Sequence, residues 1–432
     1  MNFSTRPSLS APRSHAFCCT AMQCPAFVYS KLMSMHTFVK IFCTRVRHRA
    51  TWPLCNDRLV RGTRDAMAKK TKTTSNATLP ERANRTTIVD VARCAGVHWS
   101  TVSRGLNPEK RHLISPEMIE RVETCAKQLG YRANAMASAL RTQRSRTVGV
   151  IVSNLGDPVH PPIVRAIEDR FAEIGYVTIV GNTDNHPGRQ AALIERFIQQ
   201  GVEGLIVATF ERNDPGIAVC VEANIPVVAV FRDPESEFVP SVRIDDAKAM
   251  ELAVHHLAER GHRKIAHIGG PQNVSTGYHR YRGFRRACKA LANQGVEPSA
   301  VFGEAFTVEE GQFACERLLA DHNDITAIVA GNDMLAVGCL RFLRSKGIDC
   351  PNAISVVGMN DMLFMEDIAP ALTTVRTPTA DLGTQASCIL VSMIQGLPIS
   401  NDRILLKPEL MVRDSVTSVD AQQSTKRRRP AK

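Results

Sequence analysis

Apolar residues fall along this chain in two rhythms, and the change between them at Thr147 divides it. Upstream, Ile88, Val91, Ala92 and Ala95 recur at helical spacing, one stripe of a short helix. Thr87 is placed to cap it, with Asp90 three residues on as a capping-box partner. Gly96 supplies the left-handed residue of a sharp turn, and Val97 packs inward. A second helix is predicted from about Trp99 to Leu106, with Val102 and Leu106 on its buried side. Trp99, Ser100, Ser103 and Arg104 then face outward. A third helix starts with Ser115 as N-cap and Pro116 at the first helical position. It carries Ile119, Val122, Ala126 and Leu129 on one side and ends at Gly130.

From Thr147 the pattern becomes short β-branched runs: TVGVIV, YVTIV, GLIVAT, IPVVAVF, KIAHIGG, AIVAG and ISVVGM. Between most of them lie stretches of helical period such as IVRAIEDRFAEIGY and QAALIERFIQQGV. Strands that alternate with helices predict parallel sheets covered on both faces. No GxGxxG follows a strand and no GxxxxGK[ST] is present, so a nucleotide cradle is not indicated. Neither a nucleophile elbow nor a pair of catalytic carboxylates stands out, and no cofactor is expected.

The formal net charge is +12 over 432 residues, but its distribution is more informative. Residues 1–146 are strongly basic, residues 147–415 carry an acidic excess, and the last residues, ending KRRRPAK, are basic again. A basic headpiece on a non-basic body is the electrostatic footprint of a nucleic-acid binder. Its affinity should fall steeply with salt, because each phosphate contact releases counterions. No apolar run is long enough to span a membrane. The 13 cysteines show neither a CxxC pair nor zinc spacing with histidine, so they read as reduced thiols of a cytoplasmic protein.

Two short helices on a tight turn, the second opening with aromatic and small polar residues, suit a helix-turn-helix that offers a recognition helix to the major groove. The stretch DVA-x-x-AGV-x-x-x-TVSR closely resembles the headpiece of the lactose-repressor (LacI/GalR) family of bacterial transcription regulators. The resemblance implies that Trp99, Ser100 and Arg104 touch base edges, with Thr87, Thr101 and Ser103 as further DNA-contacting positions. Arginine suits bidentate contact with guanine, and Trp99 offers apolar contact to a thymine methyl. One departure is His98, where the family usually has serine as helix cap. The following YRANAMASALRTQRSRTVGV resembles the family's hinge, in which Asn134, Ala137 and Leu140 match the residues that enter the minor groove. Arg141, Arg144 and Arg146 would meet phosphates.

The body resembles the same family along nearly its whole length. That implies an α/β periplasmic-binding-protein-like effector domain of two doubly wound subdomains, preceded by a small all-α headpiece. Three crossovers are expected near Asp245, Arg376 and Leu397, with ligand in the cleft at the strand carboxyl ends. Positions matching family ligand contacts are Ser153, Asn154, His160, Phe231, Arg232, Arg280, Phe306, Asn332, Asp333 and Asn360. Arg280 would clamp hydroxyls or carboxylates, and Phe306 would stack on the ligand. Many members have Asp where Asn360 stands. Loss of that charge beside Arg280 and Arg232 favours a sugar acid over a neutral sugar.

The expected organisation is an N-terminal extension over 1–85, a helix-turn-helix over 86–132, a hinge over 133–146, an effector and dimerisation domain over 147–415, and a disordered basic tail over 416–432. Met67, followed by AKKTKTT, resembles a family start, so residues 1–66 read as lying upstream of the true start, with a disordered basic arm as the alternative. The tail lacks the apolar heptads of a tetramerising coiled coil, which points to a homodimer. Two headpieces then require a near-palindromic operator. The whole is a regulator, not an enzyme. Its rivals are a solute receptor, which would lack the headpiece, and an enzyme acting in the cleft, which only the fold would support.

Overall fold

The computed structural model describes residues 86–132 and 144–422. The headpiece has α1 (Ile88–Ala95), α2 (Trp99–Gly105) and α3 (Pro116–Gln128), with a 3₁₀ segment over Pro108–Leu113 before α3. Its core is Val91, Ala92, Ala95, Val102, Val122, Cys125 and Ala126, with Ile88, Val97, Leu106 and Tyr131 packed around it. Gly96 closes α1 with φ 62°. The expected stripe on α3 needs one correction. Leu129 stays exposed, and Cys125, one turn earlier, takes the inward position. Leu129 is the C-cap residue, beyond the last turn that the other helices cover.

The body is two six-stranded sheets. The first comprises β1 (Thr147–Val152), β2 (Val177–Asn182), β3 (Gly204–Val207), β4 (Val227–Val230), β5 (Ser241–Ile244) and β11 (Arg403–Leu406). Its order is β11-β5-β4-β3-β1-β2, and every pairing is parallel. The second comprises β6 (Lys264–Gly269), β7 (Glu297–Phe302), β8 (Ala327–Ala330), β9 (Ser355–Asn360), β10 (Thr373–Arg376) and β12 (Glu409–Met411), in the order β12-β10-β9-β8-β6-β7. It is parallel apart from β12, which runs antiparallel to β10. The central strands are buried on both faces, as continuous runs such as TVGVIV and AIVA require.

The helices are α4 (His160–Glu173), α5 (Pro187–Gln199), α6 (Gly216–Glu222), α7 (Asp246–Glu259), α8 (Ser275–Ala290), α9 (Val308–Asp321), α10 (Asp333–Ser345) and α11 (Thr379–Ile394). Among the described residues no helix is long and apolar enough to cross a membrane. Helices α7 and α8 pack so tightly that a Cβ on Gly283 would lie 2.6 Å from the Cα of Ala247.

The chain passes between the subdomains three times. The first passage follows β5 at Asp245, and the second follows β10, after which α11 packs on α4, β3 and β4 of the first subdomain. The third was expected near Leu397 but falls at Lys407–Pro408, between β11 and β12. Strand β11 is a half-exposed edge strand, with Leu405 48% exposed, so its pattern is weak and RILLKPELM reads as one interrupted run. The tail expectation also needs correction, because the chain stays attached through Gln422. The carbonyl of Thr417 lies 2.9 Å from His262 Nε2, Thr417 N donates to Ser355 Oγ, and the buried Gln422 amide donates to Pro351 O at 2.8 Å.

Candidate DNA-reading face and effector cleft

The recognition helix is set by the two caps before it. Thr87 N donates to Asp90 Oδ2 at 2.9 Å, and Asp90 N returns a bond to Thr87 Oγ1, completing a capping box. Hydrogen bonds from Thr87 hold the Asp90 carboxyl below its ordinary range. The Thr87 hydroxyl is thereby engaged in the cap. At α2 the imidazole does the work of the missing serine: His98 Nδ1 accepts from Ser100 N at 3.4 Å and lies 2.8 Å from Ser100 Oγ. An Nδ1 that accepts the backbone bond carries no proton, so the Ser100 hydroxyl donates to it and keeps its lone pairs for a partner. Trp99 is 49% exposed, with its ring centroid 5.2 Å from that of His98. Arg104 is exposed, and Thr101 and Ser103 are partly buried. Val102, fully buried, anchors the opposite side. Asn134, Ala137, Leu140 and Arg141 lie outside the described residues.

In the body, a cleft of about 310 Å³ opens at the carboxyl ends of both sheets. Ser153 and Asn154 follow β1, Phe231 and Arg232 follow β4, Phe306 follows β7, Asn332 follows β8, and Asn360 ends β9; all of them line the cleft, as do His160 and Arg280. Asp333 does not. It is fully buried behind the cleft, where Oδ1 accepts from Thr374 Oγ1 at 2.6 Å and Oδ2 from Met362 N at 2.8 Å. Burial pushes its carboxyl up to about 7. Asp333 thus ties α10 to β10 and the loop after β9, correcting its assignment as a ligand contact. Asp157, Thr183, Asn185, Gln190, Thr209 and Asp214 line the cleft and were missed. They sit on loops after β1, β2 and β3 and on α5, where no motif marks them.

Arg280 is 1% exposed. Its Nε donates to Asp246 Oδ1 at 2.8 Å, Nη1 to the Gly331 carbonyl at 2.6 Å, and Nη2 to Asn360 Oδ1 at 3.4 Å. Asn360 also accepts from Thr377 Oγ1 at 3.1 Å, so it steadies the guanidinium. Burial pushes the Asp246 carboxyl up, against the pull of Arg280. Arg232 is held differently. Its Nη2 donates to Asn185 Oδ1 at 3.1 Å and its Nη1 reaches the Thr209 carbonyl, but Nε has no partner. No carboxylate pairs with it among the described residues, and burial pulls it down to about 10. The half-buried Asp157 carboxyl is pushed up by desolvation.

His160 Nε2 lies 2.7 Å from Ser153 Oγ, while its Nδ1 has no partner. Burial, aided by Arg232, pulls its pKa down to about 3, so the ring is neutral. The ring meets Phe231 edge-on at 5.9 Å. Phe231 has φ 67° and centres a tight turn in which Arg232 N donates to Val230 O at 2.7 Å. This strained three-residue turn aims adjacent side chains from the end of β4. Phe306 lies flat on the backbone of Gly270, where a Cβ would sit 2.3 Å from its Cε1. At the cleft rim the subdomains touch directly: Arg212 N donates to Asn273 O at 3.0 Å, Asn273 Nδ2 to Glu211 Oε1 at 2.8 Å, and Arg212 covers the Tyr278 ring at 3.6 Å.

Residues 87–134 match the family described as bacterial regulatory proteins, lacI family, and residues 254–416 match the periplasmic binding protein-like domain. The HTH-type transcriptional regulator DegA of Bacillus subtilis (strain 168) is 31% identical over 339 residues, 78% of this chain and 99% of DegA. The chain belongs to the lacI family. Two solved structures are similar over 77% of this chain and 100% of their own. One is the lac repressor dimer bound to operator and the anti-inducer ONPF, at 27% identity and a TM-score of 0.70. The other is the transcriptional regulator CelR–cellobiose complex, at 31% identity and a TM-score of 0.59. The regulator therefore joins a lacI-type DNA-binding headpiece to a periplasmic-binding-protein-like body of two parallel-sheet subdomains.

Proposed function

We propose that the regulator is a homodimeric repressor that reads a near-palindromic operator and loosens or tightens its grip when a sugar acid fills the cleft. Base reading falls to Trp99, half exposed, and to Ser100 and Arg104, which lie across the helix from the buried Val102. A second copy is the fitting cover for Phe313, Leu363 and Phe364 of the second subdomain, all more than half exposed. A lac repressor dimer on its operator supports the same arrangement by similarity.

The observation that carries the ligand class is Arg232. A buried guanidinium with no carboxylate in hydrogen-bonding reach, offset only at longer range by Asp157 and Glu211, and with an unpartnered Nε, favours an anion in the cleft beside it. Arg280 is not equivalent, because Asp246 already balances it. The ligand carboxylate belongs on Arg232, and its hydroxyls on Asp157, Asn154 and Asn332. Phe306 on one wall and Phe231 on another supply apolar faces. The effector shifts operator affinity only through its differential affinity for the two dimer states.

The test is footprinting of DNA upstream of the regulator's own and neighbouring genes, with a panel of sugars and sugar acids, followed by titration calorimetry of each active compound. The expected result is a protected near-palindrome whose protection responds to a sugar acid. Arg232→Gln should lose at least tenfold in affinity for the acid, about 1.4 kcal/mol or more, and much less for the matching neutral sugar. Tight binding of a neutral sugar with no binding of acids would reject the ligand class.

A further inference from the structure

Helix α8 carries more positive charge than the cleft uses. Arg280 lines the cleft. Beyond it, Arg282, Arg285, Arg286 and Lys289 recur at i, i+3, i+4 and i+7, so they share one face of the helix. At about 100° per residue, that face lies within about 60° of the direction opposite Arg280. All four residues are exposed, and with His279 they line a surface groove of about 640 Å³ on the second subdomain. Buried Cys288 and Val296 supply an apolar floor, and Pro298 of β7 borders it.

These cations have no carboxylate of their own. None of the four makes an ion pair among the described residues. Glu251, whose charge reaches Arg286, is bonded to Lys248 Nζ at 2.6 Å, and Glu297, next to Pro298, is paired with Lys264. His279 is already partnered, 3.2 Å from Glu235. Like charges three and four residues apart repel one another. Two of the guanidiniums are nonetheless steadied by rings: Arg282 lies over Tyr278 at 5.4 Å and Arg285 over Tyr281 at 5.8 Å. Such contacts fix the guanidinium and leave most of its N–H donors for a ligand.

We propose that this face of α8 is a second binding site, distinct from the cleft, for a small molecule carrying two or more phosphate groups. Four cations spread over about 10 Å of helix call for several negative charges close together. A phosphate monoester brings about −1.5 to −2, and its oxygens match the guanidinium fork. The apolar floor seats the rest of the molecule. Nucleic acid fits less well. Its strand spreads the charge one phosphate per nucleotide, and the acidic excess of residues 147–415 opposes so long a polyanion.

The experiment is amine acetylation of the full chain read by mass spectrometry, which reports on Lys289 directly, with the exposed Lys346 of α10 as control. The probes are tripolyphosphate and adenosine triphosphate, without metal, and citrate is the carboxylate comparison. Both phosphates should slow acetylation of Lys289 severalfold and leave Lys346 unchanged. Arg285→Gln with Arg286→Gln replaces two exposed side chains by a good helix former, so the chain should melt as before. That double variant should bind tripolyphosphate about tenfold more weakly, or worse, by titration calorimetry. Four results would each overturn the proposal. Lys289 could acetylate at an unchanged rate with either phosphate in large excess. The folded double variant could bind tripolyphosphate as tightly as the natural chain. Citrate could protect Lys289 as well as tripolyphosphate does. Random duplex DNA could protect Lys289 while both small phosphates leave it open.

Discussion

Truncating Arg280 should damage the body before it tests ligand recognition. Arg280→Ala removes the cation that pairs with Asp246 at 2.8 Å, and both side chains are 2% exposed. It also strips the Gly331 carbonyl and Asn360 Oδ1 of a donor. Removing one partner of a buried ion pair leaves the other charge uncompensated and destabilises by about 3–5 kcal/mol. At about 2–4 °C per kcal/mol for a domain of this size, the body should melt roughly 6–20 °C lower. Arg280→Met with Asp246→Leu removes both charges and should regain much of that loss, because apolar replacement of a whole buried pair is often close to neutral. The assay is thermal unfolding followed by far-ultraviolet circular dichroism for the natural chain, both single variants and the double variant. The double variant, folded, should bind operator and ignore effector. An Arg280→Ala loss below about 1 kcal/mol, or a double variant no better than the singles, would refute the reasoning that Arg280 holds the cleft floor together.

Three further outcomes are expected. Arg104→Ala should lose about 1–3 kcal/mol at the operator and little on random DNA by gel shift; equal losses on both would sink base readout. Thr87→Ala removes the capping box and should lower headpiece stability by about 0.5–2 kcal/mol, leaving body melting unchanged; an unaltered headpiece transition would show that the cap contributes nothing. Asp333 titrates at about 7 in the folded chain and near 4 unfolded, so the native state holds a proton that the unfolded state has released. Stability should therefore fall as pH rises from about 4 to 7, by about 4 kcal/mol at most. Asp333→Asn should flatten that slope in urea titrations, and identical slopes for the two proteins would count against it.

Much of the architecture was legible because the sequence rhythm changes where the physics does. The β-branched runs and Gly96 each have one local meaning, and the structure keeps it. Asp333 was misread because adjacent polar residues at a strand end look alike in sequence. Only the direction of the first turn of α10 decides that Asn332 meets the cleft while Asp333 turns toward Thr374. Gln190, Thr209 and Asp214 were invisible for another reason: they form one network, Gln190 Nε2 donating to Asp214 and Thr209 Oγ1 to Gln190 Oε1, that exists only once α5 meets the loops. Leu405 on β11 shows the limit of periodicity, since a half-exposed edge strand has no apolar stripe to read. His98 shows the reverse: a departure from the family's usual serine is accommodated by a ring nitrogen in the serine's place.

The three passages of the chain have a consequence for synthesis on the ribosome. The first subdomain is opened by β1 at Thr147, yet it lacks α11 and its edge strand β11 until Leu406 has emerged. Until then the faces of β3 and β4 that α11 covers, and the free edge of β5, wait without partners while the entire second subdomain is being made. The second subdomain in turn lacks β12 until a few residues later. Neither half can finish before β11 and β12 have emerged, so the two lobes complete together, through contacts of very large sequence separation that slow folding and leave the exposed edge open to aggregation or strand exchange between neighbouring chains.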